Sequence, residues 1–459
     1  MLMETRRDVE ERVAPWAKPG GDGGWSVVSK GVGGDVVDDL IYTFVFTGDA
    51  DRKASLRRLI RALAAASGAW PASIHDLYMA RGRRECGGFT VPAFNLRVMT
   101  YDKARAAFRA AREVKAGAFI FELARSEMGY THQDPREYAT CVLAAALREG
   151  HEGPVFIQGD HFQVQPARFH KDRAQEIGAL RTLIGEAIAA DFLNIDIDAS
   201  TMVDLSFPTL DEQQRLNYEL TTELASHVRS LQPSGVTISI GGEIGEVGGK
   251  NSTVEELAAY ADGFTRAMAA SSPGAAGISK ISVQTGTSHG GVPLPDGRVA
   301  GVDLDFDVLE KLSRVARDRY GMAGAVQHGA STLPEEAFDG FPKVETAEIH
   351  LATGFQLMLF DHPAFPDDLL RDVDAYLKDR HGDEWKAGWT EEQFVYKTRK
   401  KACGPFKRRI WDLPESNRSA IRASLEERFA FLYRKLKVDG TSELVGRHVT
   451  FPAVRGGGV

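Results

Sequence analysis

The chain has 459 residues, 43% hydrophobic and 26% charged, a composition typical of globular proteins and long enough for a large core. A formal charge of −8 gives no general basic footprint for nucleic acid, and no run approaches the ~18–20 apolar residues of a membrane span. Three scattered cysteines, Cys86, Cys141 and Cys403, form no CxxC pair, which argues against a disulfide framework and a thiolate zinc site and for a cytoplasmic setting.

Residues 1–74 read as an N-terminal extension. Gly20-Gly21, Gly23-Gly24 and the stretch Gly31 to Gly34 suggest a loose arm over 1–35, Asp39 to Phe46 suggests a strand, and Ala50 to Ala66 a basic amphipathic helix with a solvated face. A rhythm then begins. Candidate strands fall near 89–94, 118–124, 154–159, 192–197, 236–241, 278–285, 322–327 and 345–351. Helical patterns separate them near 102–115, 134–150, 172–189, 211–230, 253–271, 304–320 and 334–339. Eight strands alternating with helices predict an α/β chain with a (β/α)8 TIM barrel over 75–365. An open doubly wound sheet would want a glycine-rich turn after the first strand, where Phe94-Asn95-Leu96-Arg97 stands instead. Residues 366–459 read as a C-terminal helical appendix, with helices over Asp367–Asp379, Glu391–Lys401 and Pro414–Leu436.

Chemistry-bearing residues fall at the ends of these strands. His161 follows the third strand in Gly159-Asp160-His161, His289 the sixth in Gly286-Thr287-Ser288-His289-Gly290, and His328 the seventh in His328-Gly329. A lone histidine is more often a core or surface residue. Three that converge on one barrel rim fit a catalytic zinc, which takes three protein ligands and keeps a position open. Alternation along an extended strand puts Asp160 on the side opposite His161, as an orienting group or an acid/base. Glu243, flanked by glycines, and Asp198 are further rim carboxylates; the alternative for Glu243 is an ordinary loop residue and for Asp198 a helix cap. Backbone N–H groups at Gly290, Gly329 to Ser331 and Ala352 to Gly354 could cradle an anion such as phosphate, although Thr353 also reads as a helix N-cap.

Together, Ala93-Phe94-Asn95, Asp160-His161, Glu243-Ile244-Gly245, Gly286 to Gly290 and His328-Gly329-Ala330-Ser331 resemble the class II, metal-dependent ketose-bisphosphate aldolases over residues 75–360. The resemblance implies one zinc per chain held by His161, His289 and His328, with cobalt or another divalent ion as a substitute and a monovalent cation as a further candidate. It implies Asp160 as acid/base, Glu243 as a second catalytic carboxylate with Asp198 near an alternate metal position, and substrate or phosphate contacts at Asn95, Ser126, Gly290, Gly329, Ser331, His350 and Thr353. Two departures stand out. Gly248-Gly249 is followed by Lys250-Asn251-Ser252 where the family carries an acidic pair, leaving Glu246 as a replacement base, and His350 stands where the family has asparagine.

The function so implied is cleavage or formation of a ketose (bis)phosphate such as fructose 1,6-bisphosphate, by metal-stabilised enediolate chemistry, in a cytoplasmic homo-oligomer with a role in glycolysis. A related zinc lyase or epimerase acting on another sugar or sugar acid, and a non-catalytic barrel subunit supporting a partner aldolase, are the alternatives. The basic run Lys401 to Arg409 reads as a solvated face or as a contact to a distal substrate phosphate, in the second case across a dimer.

Overall fold

Each of the eight predicted barrel strands is a short apolar run bounded by glycine, proline or polar turns, and each forms. The computed structural model describes residues 2–21, 23–245, 250–286, 294 and 304–451. Its barrel strands are β1 (Val91–Asn95), β2 (Ile120–Ala124), β3 (Gly153–Gln163), β4 (Asn194–Asp198), β5 (Ser239–Gly245), β6 (Lys280–Val283), β7 (Ala325–Gln327) and β8 (Glu348–Leu351). Neighbours pair in parallel in chain order, and β8 returns to β1 with Glu348 opposite Val91 and Leu351 opposite Phe94. The sheet is therefore the closed (β/α)8 barrel that the rhythm predicts.

Six long helices follow the first six strands within a few residues of their predicted bounds. Between β7 and β8 no full helix forms: a 3₁₀ turn at Glu335–Asp339 runs into the four-residue helix Gly340–Lys343. Pro334 and Pro342 each remove a backbone donor there. After β8 comes only the eight-residue helix Thr353–Phe360. The cover it is too short to give comes from the C-terminal helix Glu415–Lys435. Phe429 and Tyr433 of that helix pack on Phe94 of β1, at ring-centroid distances of 4.7 and 5.7 Å, and Phe429 stacks on Phe355 at 4.7 Å.

The N-terminal region departs from its sequence reading. Residues 39–46, expected as a strand, belong to the helix Gly34–Phe46, which buries Val36, Val37, Leu40, Ile41 and Phe44 at helical spacing. Its run of β-branched and aromatic residues has strand propensity, but the one-sided period decides. The expected loose arm contains the helix Arg6–Val13, opened by a reciprocal Thr5–Asp8 capping box, and a hairpin pairing Ala17–Pro19 with Trp25–Val27. The helix Ala50–Ala66 forms as predicted. No helix among the described residues is long and apolar enough to cross a membrane.

The helix His75–Gly82 and the turn before it close the N-terminal end of the barrel by contacting the starts of three strands. The Ile74 amide donates to Asn194 Oδ1 (2.9 Å), Ser73 Oγ accepts from the Ser239 amide (2.9 Å), and the buried Tyr78 hydroxyl donates to Glu348. Burial, with Arg229 adding to it, pushes His75 down to about 4. The unfolded chain, near the usual 6.5, then binds the extra proton first, so this contribution to stability is intact at pH 7 and is lost as pH falls from 6.5 toward 4. Urea unfolding at pH 5 should show about 2 kcal/mol less from this residue than at pH 7. A His75→Gln variant should lose that part of the pH dependence.

Candidate active site

The site starts from an irregularity in β3. A Cβ on Gly159 would sit 2.5 Å from the Phe162 ring, so only glycine lets that ring fold back. Between Gly159 and Phe162 the register against β4 shifts, and His161 takes φ +40°, in the left-handed region that side chains rarely adopt. Regular alternation would send Asp160 and His161 to opposite faces. The bulge turns both into the C-terminal mouth, with Asp160 Oδ1 3.8 Å from His161 Nε2.

His328, just past β7, meets them there, its ring centroid 4.2 Å from that of His161. Donor atoms of Asp160, His161 and His328 lie within 4.8 Å of one another. His289 and Gly290 fall outside the described residues. On its other edge, His161 Nδ1 faces Asp198 Oδ2 and Glu243 Oε2, each at 3.2 Å. The second oxygen of Asp198 accepts from the Ser200 amide (3.0 Å) and hydroxyl (2.7 Å), while the N-cap of the short 3₁₀ helix that follows is Ala199. Burial opposes ionisation of Asp198, but His161, Ser200 and Gln163 hold it below the usual carboxylate range. Burial and the neighbouring Asp198 charge push Glu243 up to about 7.

Two cavities flank the histidines and share Ser126, His161 and His328. One, of about 350 Å³, lies toward β3–β6 and is lined by Gln163, Gln165, Ser200, Glu243, Gln284 and Gln327 among others. The other, of about 270 Å³, lies toward β1, β2 and β8. It gathers Asn95, Asp160, Gly329, Ser331, His350 and Thr353 with Arg97, Tyr396, Lys397 and Lys400. Within it, Asn95 Nδ2 donates to Glu127, and Ser331 Oγ accepts from the Ala352 amide at 2.6 Å. Ala352, not Thr353, is the N-cap of the helix after β8.

Three further expectations concern the basic run of the appendix, the loop after β5 and His350. The run Lys401–Arg409 is paired away from the cavities: Lys401 with Glu384, Lys407 with Glu137 (2.6 Å), Arg408 with Asp412 (3.0 Å) and Arg409 with Asp372 (2.7 Å). The appendix cations that line the second of these cavities are Lys397 and Lys400, just upstream. Glu246 is outside the described residues, and Lys250 reaches Glu256 at 3.6 Å. His350, expected at the substrate, borders the second cavity but is only 5% exposed, and its ring nitrogens face carboxylates. Nδ1 lies 3.0 Å from Glu122 and 3.2 Å from Asp160, and Nε2 lies 2.7 Å from Glu348.

Sequence reading passed over the polar barrel interior beneath the site. Lys280 Nζ donates to Glu348 (2.6 Å), Gln158 (2.7 Å) and Asp196 (2.9 Å), all in the core. The available signal was a charge flanked by apolar residues on a buried strand, as in Ile195-Asp196-Ile197 and Phe121-Glu122-Leu123.

A closed parallel barrel with two imidazoles and several carboxylates at its C-terminal mouth defines a TIM-barrel protein with a metal-competent rim. The profile described as Fructose-bisphosphate aldolase class-II matches residues 83–401. The chain belongs to the class-II fructose-bisphosphate aldolase family. Comparison with curated proteins gives no match. Among solved structures, fructuronate-tagaturonate epimerase UxaE from Cohnella laeviribosi is similar at 12% identity, covering 94% of this chain and 99% of its own, with a TM-score of 0.60. A probable tagatose 6 phosphate kinase from Sinorhizobium meliloti 1021 is similar at 18% identity, over 77% of this chain and 98% of its own, with a TM-score of 0.53. At these identities the likeness concerns the fold. The metal typical of the family suits the donors present, since the imidazoles of His161 and His328, brought together from the ends of β3 and β7 on opposite sides of the barrel, are zinc-type ligands.

Proposed function

We propose that this chain is a zinc-dependent aldolase that cleaves or forms a carbon–carbon bond in a phosphorylated ketose. The observation that carries the reading is the convergence of Asp160, His161 and His328 between two polar cavities. His161 and His328, with His289, would hold the metal, which when bound supplies a Lewis acid to a carbonyl oxygen. Asp198 and Glu243 orient the His161 ring from behind. Asp160 takes the proton of the hydroxyl beside the breaking bond and returns it in condensation. Glu243, poised near 7, is the second proton carrier.

The second cavity takes an anionic end of the substrate. Backbone at Gly329 and hydroxyls of Ser331 and Thr353 line one side, while Arg97, Lys397 and Lys400 supply positive charge. Those cations would accept a carboxylate as well as a phosphate, which supports a second reading in which the same bond chemistry serves epimerisation of a sugar acid.

Metal analysis of the purified protein separates these readings when combined with two assays, cleavage of fructose 1,6-bisphosphate and epimerisation of a hexuronate, each run with and without chelator. About one zinc per chain and chelator-sensitive cleavage are expected. Epimerisation alone would favour the second reading. Neither metal nor activity after adding zinc or cobalt would overturn both.

A further inference from the structure

Beneath Asp160 runs a column of buried polar groups that the reaction as proposed does not use. Tyr78, from the helix closing the far end of the barrel, donates to one oxygen of Glu348. The other oxygen of Glu348 lies 2.6 Å from Lys280 Nζ and 2.7 Å from His350 Nε2. Across the His350 ring, Nδ1 makes an ion-pair contact with two carboxylates, 3.0 Å from Glu122 Oε2 and 3.2 Å from Asp160 Oδ1. The ring is packed between these contacts and His328, whose centroid is 4.1 Å away. Glu348 and Lys280 are each at most 1% exposed, so neither can swing away from the group it holds.

We infer that His350 is a positioning residue for Asp160, itself held by Glu348, and this rests on Asp160 being the acid/base of the proposed reaction. Asp160 lies within β3 and is buried, so the plane of its carboxylate is set by the groups packed around it. One imidazole nitrogen, in charge contact with both Glu122 and Asp160, limits the plane Asp160 can take, while Glu348 on the other nitrogen fixes the ring itself. The arrangement places an imidazole behind the acid/base, where asparagine stands in the resembling sequences. Asparagine can mimic Nδ1 toward Asp160 but cannot reach Glu348.

The test is a pair of substitutions at His350, each made in the wild-type chain and in an Asp160→Ala chain, with kcat, KM, bound metal and thermal unfolding measured on all. His350→Leu should lower kcat by about 10–100-fold with KM and metal content little changed. His350→Asn, which keeps one of the two contacts and guards against a Leu variant that fails to fold, should lose less. In the Asp160→Ala background neither substitution should cost anything further. Equal losses in both backgrounds would overturn the inference, since His350 would then act independently of Asp160. A raised KM at unchanged kcat would make it a substrate contact, and lost metal would make it a ligand; either also overturns it. If Asp160→Ala alone is silent, the underlying reading fails, and that is visible before the pair is compared.

Discussion

Asp160→Ala is expected to lower turnover by about 100-fold or more while the protein keeps its metal and fold. The side chain is 5% exposed, borders the cavity where the cationic groups gather, and sits beside His161 without being needed to hold that ring, which Asp198 and Glu243 grip from the far edge. Removing it takes away the nearest proton acceptor to a substrate bound between His161 and His328. Asp160→Asn should be as slow as Asp160→Ala, because an amide keeps the shape and the polarity but cannot accept the proton. Metal analysis beside steady-state kinetics distinguishes the outcomes. Metal lost with turnover would make Asp160 a ligand, and near wild-type turnover would remove it from the chemistry.

The barrel and its rim were legible because both repeat. Apolar runs recur at strand length with helices between them, and residues that follow such runs must share one end of a parallel barrel, so His161 and His328 could be placed together before any coordinates. Local backbone shape was not legible. Alternation put Asp160 and His161 on opposite faces, and only the bulge, with Phe162 folded over Gly159, brings them to one. Residues 39–46 misled for a related reason: valine, isoleucine and phenylalanine suit a strand, and the helix wins through the face it buries against its neighbours. The cations of the second cavity were missed by a few positions. Density of charge drew attention to Lys401–Arg409, whereas Lys397 and Lys400 reach the cavity through the path of the preceding helix, Glu391–Thr398, and the turn Arg399–Ala402. Long-range pairing of charge cannot be read from composition along the chain.

Lys280→Met is expected to destabilise the protein by about 3–5 kcal/mol at pH 7, the cost of leaving buried carboxylates without their counter-charge. Methionine is close in volume to lysine, so lost packing contributes little and the effect is electrostatic. The space for this ion is built in: a Cβ on Gly241 would lie 2.3 Å from Asp196 Oδ1 and 2.9 Å from Lys280 Cε. With lysine present, Glu348 stays below the usual carboxylate range although burial opposes it, while burial, only partly offset by Lys280, pushes Asp196 up to about 6. Without it, Glu348 loses the charge that holds it down and Asp196 rises further, so Asp196 is the one of the two able to take a proton more readily. At pH 7 that protonation costs the folded state about 1.4 kcal/mol for each unit its pKa lies below 7, an expense the unfolded chain does not share. As pH falls from 7 to 5 the folded variant gains the proton and the penalty disappears, so the deficit against wild type should narrow. Urea unfolding of both proteins at pH 7 and pH 5 measures this directly. A deficit that is small and the same at both pH values would mean that Lys280 does not balance those carboxylates, and that His350, on the other side of Glu348, carries the compensating charge instead.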